Sequence, residues 1–231
     1  MRLKFFSIPL VLLLAACASA PPAGVVPDAV AEPAFTRGES WTYQLRDGYN
    51  DLLLRTYREE IGPVSGDFLS VWLSDDRQTI TDESYTPDGN AIDVRAGRAA
   101  LPVRYTPYYP AYVFPLQVRS RWKQALLIAR AGTGPAIRAT LQAKVDGWER
   151  VRVAAGEFDA LKIQRQIYLD DEEFWRWGTT VHETDWYVPA IKRFVKREDK
   201  SEFIEKSGRF PNNLRRGDWT IVELQQYRPA E

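Results

Sequence analysis

The chain has 231 residues, 45% of them hydrophobic and 13% aromatic, with 31 basic residues set against 31 acidic ones. That is enough apolar side chain for one substantial core, and the balanced charge excludes the basic excess of a nucleic-acid binder or a polybasic membrane surface. A single cysteine and a single histidine exclude an internal disulfide and a multi-histidine metal cluster.

At the N-terminus Arg2 and Lys4 precede an apolar run from Phe5 to Ala16. The run holds Ser7 and Pro9 and is well short of the ~20 residues that span a bilayer, so it reads as a secretory signal and not as a membrane helix. Leu14-Ala15-Ala16-Cys17 resembles the lipobox of bacterial lipoprotein precursors. The resemblance implies removal of residues 1–16 and a diacylglyceryl thioether on Cys17, hence a membrane partner reached through lipid. Ala18 stands where an inner-membrane retention signal would place Asp, so the same resemblance implies sorting to an outer membrane, facing the periplasm. Loss of Arg2 and Lys4 with the signal leaves the mature chain near −2. Residues 17–35 are rich in Pro and Ala and poor in large apolar groups, which predicts a flexible linker. A single domain is expected over 36–231.

Along that domain the apolar period is two. Trp41, Tyr43 and Leu45 alternate with Thr42, Gln44 and Arg46, as in a half-buried strand. Further strands are expected around Phe68–Leu73, Thr79–Thr86, Ile137–Val145, Trp148–Val153, Phe158–Ile167, Thr180–Val188, Arg193–Glu198 and Trp219–Tyr227. Asp47-Gly48, Pro87-Asp88-Gly89, Gly132 to Pro135 and Ser207-Gly208 supply turns. No window carries a helical stripe of useful length. The expected fold class is all-β, mainly antiparallel: one curved sheet, half-barrel, barrel or sandwich after the linker.

Val151-Arg152-Val153-Ala154-Ala155-Gly156-Glu157-Phe158, continuing through Leu161 to Ile163, resembles a hairpin of uncharacterised β-rich periplasmic domains. Trp186-Tyr187-Val188-Pro189 with Val195-Lys196, and Phe114-Pro115-Leu116 with Trp122, stand where that group has its other recurrent elements. Ala190-Ile191-Lys192 departs from the group, which has a glycine-containing turn there. The resemblance implies an antiparallel β architecture and no catalytic residue. Read by itself, the hairpin puts Val151 and Val153 on one face and gives Gly156 the tight turn.

Chemistry-bearing motifs are few. On a strand, His182 and Thr184 point to one side and Glu183 and Asp185 to the other, so these acids do not orient the imidazole, and His182 reads as a solvated strand residue. Asp170-Asp171-Glu172-Glu173 lacks the alternate spacing and glycine of a calcium loop and reads as a solvated hairpin tip, as does Arg215-Arg216. There is no nucleophile elbow, phosphate loop or dinucleotide fingerprint, so no cofactor, metal or enzymatic activity is expected. The segment most suggestive of binding is Tyr105 to Pro115. Its rings Tyr105, Tyr108, Tyr109, Tyr112 and Phe114 among three prolines are expected in a loop, as a stacking surface for an envelope protein or glycan or as a lid over the domain's own interior. The expected function is a tethered, non-enzymatic binding or assembly module, with a carrier enclosing lipid in an apolar β cavity as the alternative. A cell-wall glycan enzyme working through paired carboxylates stands behind both.

Overall fold

The computed structural model describes residues 26–75, 80–96, 101–132, 134–206 and 212–230. The signal segment, Cys17, the first part of the expected linker and the Ser207-Gly208 turn lie outside them.

Two short strands, β1 (Ala29–Val30) and β8 (Leu116–Gln117), pair with each other apart from the main sheet. The others are β2 (Ser40–Asp47), β3 (Leu53–Ser65), β4 (Phe68–Asp75), β5 (Ile80–Tyr85), β6 (Ala91–Ala96), β7 (Leu101–Tyr109), β9 (Arg121–Arg130), β10 (Ile137–Val153), β11 (Gly156–Leu169), β12 (Thr180–Val188), β13 (Arg193–Glu205) and β14 (Asn213–Arg228). Each pairs antiparallel with its neighbour in sequence, and β14 pairs with β2 to close a barrel. The expected all-β antiparallel class is what the chain adopts, and its closure is a complete barrel. Closure removes every free edge from the main sheet, which is the general remedy for unpaired backbone groups.

Alternation sets which residues fill the barrel. In β2, Trp41, Tyr43 and Leu45 are buried, as the period-two reading requires. The apolar runs Leu52 to Leu54 and Leu126 to Ile128 fall at the start of β3 and within β9. At the β10–β11 hairpin Val151 pairs with Phe158 and Val153 with Gly156, which takes φ +139. The segment through Ala190-Ile191-Lys192 forms a 3-10 turn over Pro189–Ile191, after which Lys192 adopts φ +61, a conformation that usually falls to glycine. Its ammonium is held by the carbonyl of Ala34 and by Glu39, and the carbonyl of Ile191 accepts from the indole of Trp41 at 2.9 Å.

Two expectations change. Packing begins before residue 36: Val30 is only 3% exposed against Leu116, and Phe35 meets the edge of Trp41 at 6.2 Å. The region Tyr105 to Tyr109 lies within β7 and not in a loop. Pro107 is tolerated because the β6–β7 register jumps from Asp93↔Arg104 to Ala91↔Tyr109 and the β7–β9 ladder ends at Thr106↔Leu127, leaving no partner that needs its missing N–H.

Eight strands make a barrel whose side chains just fill it, and wider barrels leave space. With 12 strands, this one occupies part of its interior with long tyrosine and arginine side chains and with a stretch of its own backbone.

Candidate functional site

The backbone in question is the connection from β7 to β9, which turns into the end of the barrel where β5, β7 and β12 finish. Asn90 (1% exposed) grips it in the manner of a strand neighbour: its amide donates to the carbonyl of Tyr112 and its side-chain oxygen accepts from the N–H of Tyr112, each at 2.9 Å. Arg165 donates to the carbonyl of Ala111 at 2.9 Å. Tyr112 is 6% exposed, with its ring against Tyr187, and its hydroxyl donates to Asp185 at 2.8 Å. The hydroxyl of Tyr109 donates to Glu183 at 2.9 Å. The segment is a plug, and interior carboxylates of β12 hold its two tyrosine hydroxyls.

Those carboxylates belong to an ionic network across β11, β12 and β13. Arg197 closes a two-point contact on Asp185, 2.6 Å from Nε and 2.8 Å from Nη2. Arg165 divides its guanidinium between Glu183 and Asp185, 2.6 Å from the latter. Burial alone would raise both acids, yet the arginines prevail and hold Glu183 and Asp185 below the usual carboxylate range. Asp199 moves the other way. Its burial, reinforced by the charge of Glu183, lifts its carboxyl well above the usual value.

A second cluster lies on β3, β5 and β13. Arg193 pairs with Glu59, while the rings of Trp41 (4.7 Å) and Tyr85 (5.2 Å) lie against its guanidinium. Glu83 accepts from the N–H of Arg95 at 2.6 Å and from the hydroxyl of Tyr85 at 2.9 Å. Burial, with the charge of Glu59 adding to it, still raises its carboxyl to about 7.

Between plug and opposite end the barrel keeps a cavity of about 410 Å³. Tyr85, Tyr109, Tyr112 and Arg193 form its inner end, and its lining reaches Arg55, Arg95, Asp171 and Asp218 near the far ends of the strands. The walls mix apolar groups such as Leu45, Leu73, Phe194 and Val222 with the charged clusters. Arg55 stacks 4.6 Å from the ring centre of Tyr57, and no acid among the described residues pairs with Arg55 or Arg95. The volume is within the range of small-molecule sites.

The sequence candidates are thus divided. Tyr105, Tyr109 and Tyr112 line the cavity, whereas Tyr108 and Phe114 do not, and Phe114 is half-buried against Tyr112 and Tyr187. His182 points outward, 3.2 Å from Glu202. The acidic run is more structured than a solvated tip: Asp171 accepts from the N–H and hydroxyl of Thr179 and from Arg176, and Glu172 pairs with Lys206. Trp175 and Trp177 are exposed near the far end, and the outward ring of Trp186 lies under Lys162 and Lys196. The interior charges escaped sequence reading, although alternation marked them. Glu183 and Asp185 share a strand face with Val181 and Tyr187, and Arg165 sits between Ile163 and Ile167.

No family model matches the sequence, and no curated protein matches it. Solved structures do match it, among them the following three. A candidate exported protein with YmcC-like fold from Bacteroides fragilis is 15% identical, with a TM-score of 0.50 over 87% of this chain and 99% of its own. The hypothetical lipoprotein YmcC from Escherichia coli is 10% identical, with a TM-score of 0.49 over 83% and 86%. A candidate lipoprotein from Parabacteroides distasonis is 14% identical, with a TM-score of 0.46 over 87% and 100%. The Bacteroides match shows a shared fold, and the two looser ones add nothing to it.

Proposed function

We propose that this chain is an envelope lipoprotein, anchored through Cys17 on the periplasmic side of the outer membrane, whose barrel is a non-enzymatic binding module. The observation that carries the binding role is the cavity of about 410 Å³ between the plug and the far end of the barrel. The lipobox-like Leu14 to Cys17 supports the anchor. The outer wall also fits a barrel standing in water. It carries cross-strand ion pairs such as Arg104–Asp93, Lys162–Glu149 and Arg215–Glu205 where a membrane barrel carries an apolar band. Charged groups throughout the cavity lining weigh against an acyl chain as its content, because an arginine or carboxylate against hydrocarbon loses its hydration without return.

Native mass spectrometry of the full-length protein extracted from membranes tests the reading. A bound small-molecule mass that is lost on denaturation, together with a lipid adduct abolished by Cys17→Ser, is the expected result. A lipid-free Cys17 overturns the anchor. An empty barrel that also fails to bind any member of a broad metabolite set overturns the binding role.

A further inference from the structure

Within the interior, nearly every charge is answered. Asp185 answers Arg197 and Arg165, Glu59 answers Arg193, and Arg176 answers Asp171. Arg55 and Arg95 break this pattern. Both are half-buried, both line the cavity, and no described acid lies within ion-pair distance of either. Arg55 is held in place by its stack on Tyr57, and the backbone of Arg95 is fixed by the bond from its N–H to Glu83. In the outer half of the cavity Asp218 likewise forms no ion pair with a described residue, while Asp171 is taken by Arg176, so two unpaired cations stand there against one unpaired acid. A guanidinium facing a cavity edged with apolar groups is poorly hydrated and presents a planar fork of N–H donors suited to an anion with two oxygens.

We infer that the cavity takes a small organic anion, its charged group between Arg55 and Arg95 and its apolar body against Leu45, Leu73, Phe194 and Val222 toward the plug. The inference rests on the binding-module reading and specifies its ligand class. The acids deeper in the cavity do not oppose it: Glu83 and Asp199 both hold protons more tightly than free carboxyls do, and Glu59 is committed to Arg193.

The test uses the full chain in neutral-detergent micelles, with empty micelles as the blank, and two probes that differ only in the charged group, phenylpropanoate and phenylpropanol. Isothermal titration calorimetry is expected to give tighter binding of the carboxylate by about tenfold or more, the scale of one or two charge-assisted hydrogen bonds. Arg55→Gln and Arg95→Gln should each remove part of that preference, and the double variant should bind acid and alcohol alike. Neither arginine anchors another charge, so the barrel should still form, as circular dichroism will report. Should the double variant not fold, the salt dependence of the unaltered protein decides instead: carboxylate affinity should fall with salt while alcohol affinity does not. Equal affinity for acid and alcohol overturns the anion inference and leaves the binding module standing. Inorganic phosphate binding as tightly as phenylpropanoate also overturns it, because the apolar walls would then contribute nothing. Binding of neither organic probe removes the inference and counts against the cavity as a binding site at all.

Discussion

Asp185 is fully buried and serves three donors at once, the guanidiniums of Arg165 and Arg197 and the hydroxyl of Tyr112. A buried ion pair is a modest source of net stability, but removing one partner strands the others in a medium that cannot solvate them. Asp185→Asn is therefore expected to cost about 3–5 kcal/mol in denaturant unfolding. Tyr112→Phe, which removes one donor from an acid that keeps two cations, should cost about 1 kcal/mol. A smaller loss for Asp185→Asn than for Tyr112→Phe would mean the network is not what holds the plug. Glu83 gives a pH dependence of the opposite sign to its neighbours. Its carboxyl is raised from 4.5 to about 7, so the folded state binds the proton more tightly than the unfolded chain does. Its contribution is full below the unfolded value and is lost as pH rises through about 7, an effect of about 3 kcal/mol at most. Glu183 and Asp185, whose affinities are lowered, contribute above the unfolded value and lose that contribution only in acid. Glu83→Gln should accordingly be close to neutral near pH 5 and stabilising near pH 8. Parallel stability curves for the two proteins across that window would show that Glu83 does not titrate there.

At the scale of elements, the hairpin from β10 to β11 is the clearest case of a local sequence dictating a local structure. Gly156 occupies φ +139, a region closed to residues with a Cβ, while the atoms nearest to a methyl group at that position, on Phe158, would lie at an ordinary 3.6 Å. The cost of Gly156→Ala is thus backbone strain and not a clash, about 1–3 kcal/mol. A thermal scan showing no loss would mean that the turn can move to another conformation. That hairpin was legible because the demand and the residue are adjacent in sequence. The plug was not. Its prolines and tyrosines marked Tyr105 to Pro115 as unusual, but its place inside the barrel depends on Asn90, Arg165 and Asp185, which approach only after closure. The interior ions were hidden for a related reason. Alternation tells which face Glu183, Asp185 and Arg165 occupy, yet a charged residue on a strand is ordinarily solvated. Only the width of the barrel turns that face into a place where such charges can be paired and kept.

The whole molecule depends on one seam. Within the barrel every other ladder joins strands adjacent along the chain, with only the short β8 intervening between β7 and β9, while β14 and β2 meet across almost the full length of the chain, with Arg228 opposite Ser40 and Thr220 opposite Asp47. The seam is not a late ornament on a finished sheet: Trp41, Tyr43 and Leu224 beside it are fully buried, and Tyr43 donates to the carbonyl of Phe194 at 3.0 Å. An open sheet would expose these side chains together with two unpaired edges. Deleting residues 218–231 should therefore abolish the folded state and produce aggregation instead of a shortened, soluble sheet. Hydrogen exchange offers the same test on the intact protein. Amides of Tyr43, Leu45 and Val222 are expected to be as protected as those of Ile163 and Arg165 in the β10–β11–β12 region, since opening the seam amounts to global unfolding. Selectively fast exchange at the seam would instead describe a barrel that breathes there. That motion would give a ligand a second route to the cavity, because Leu45 and Val222 line its wall.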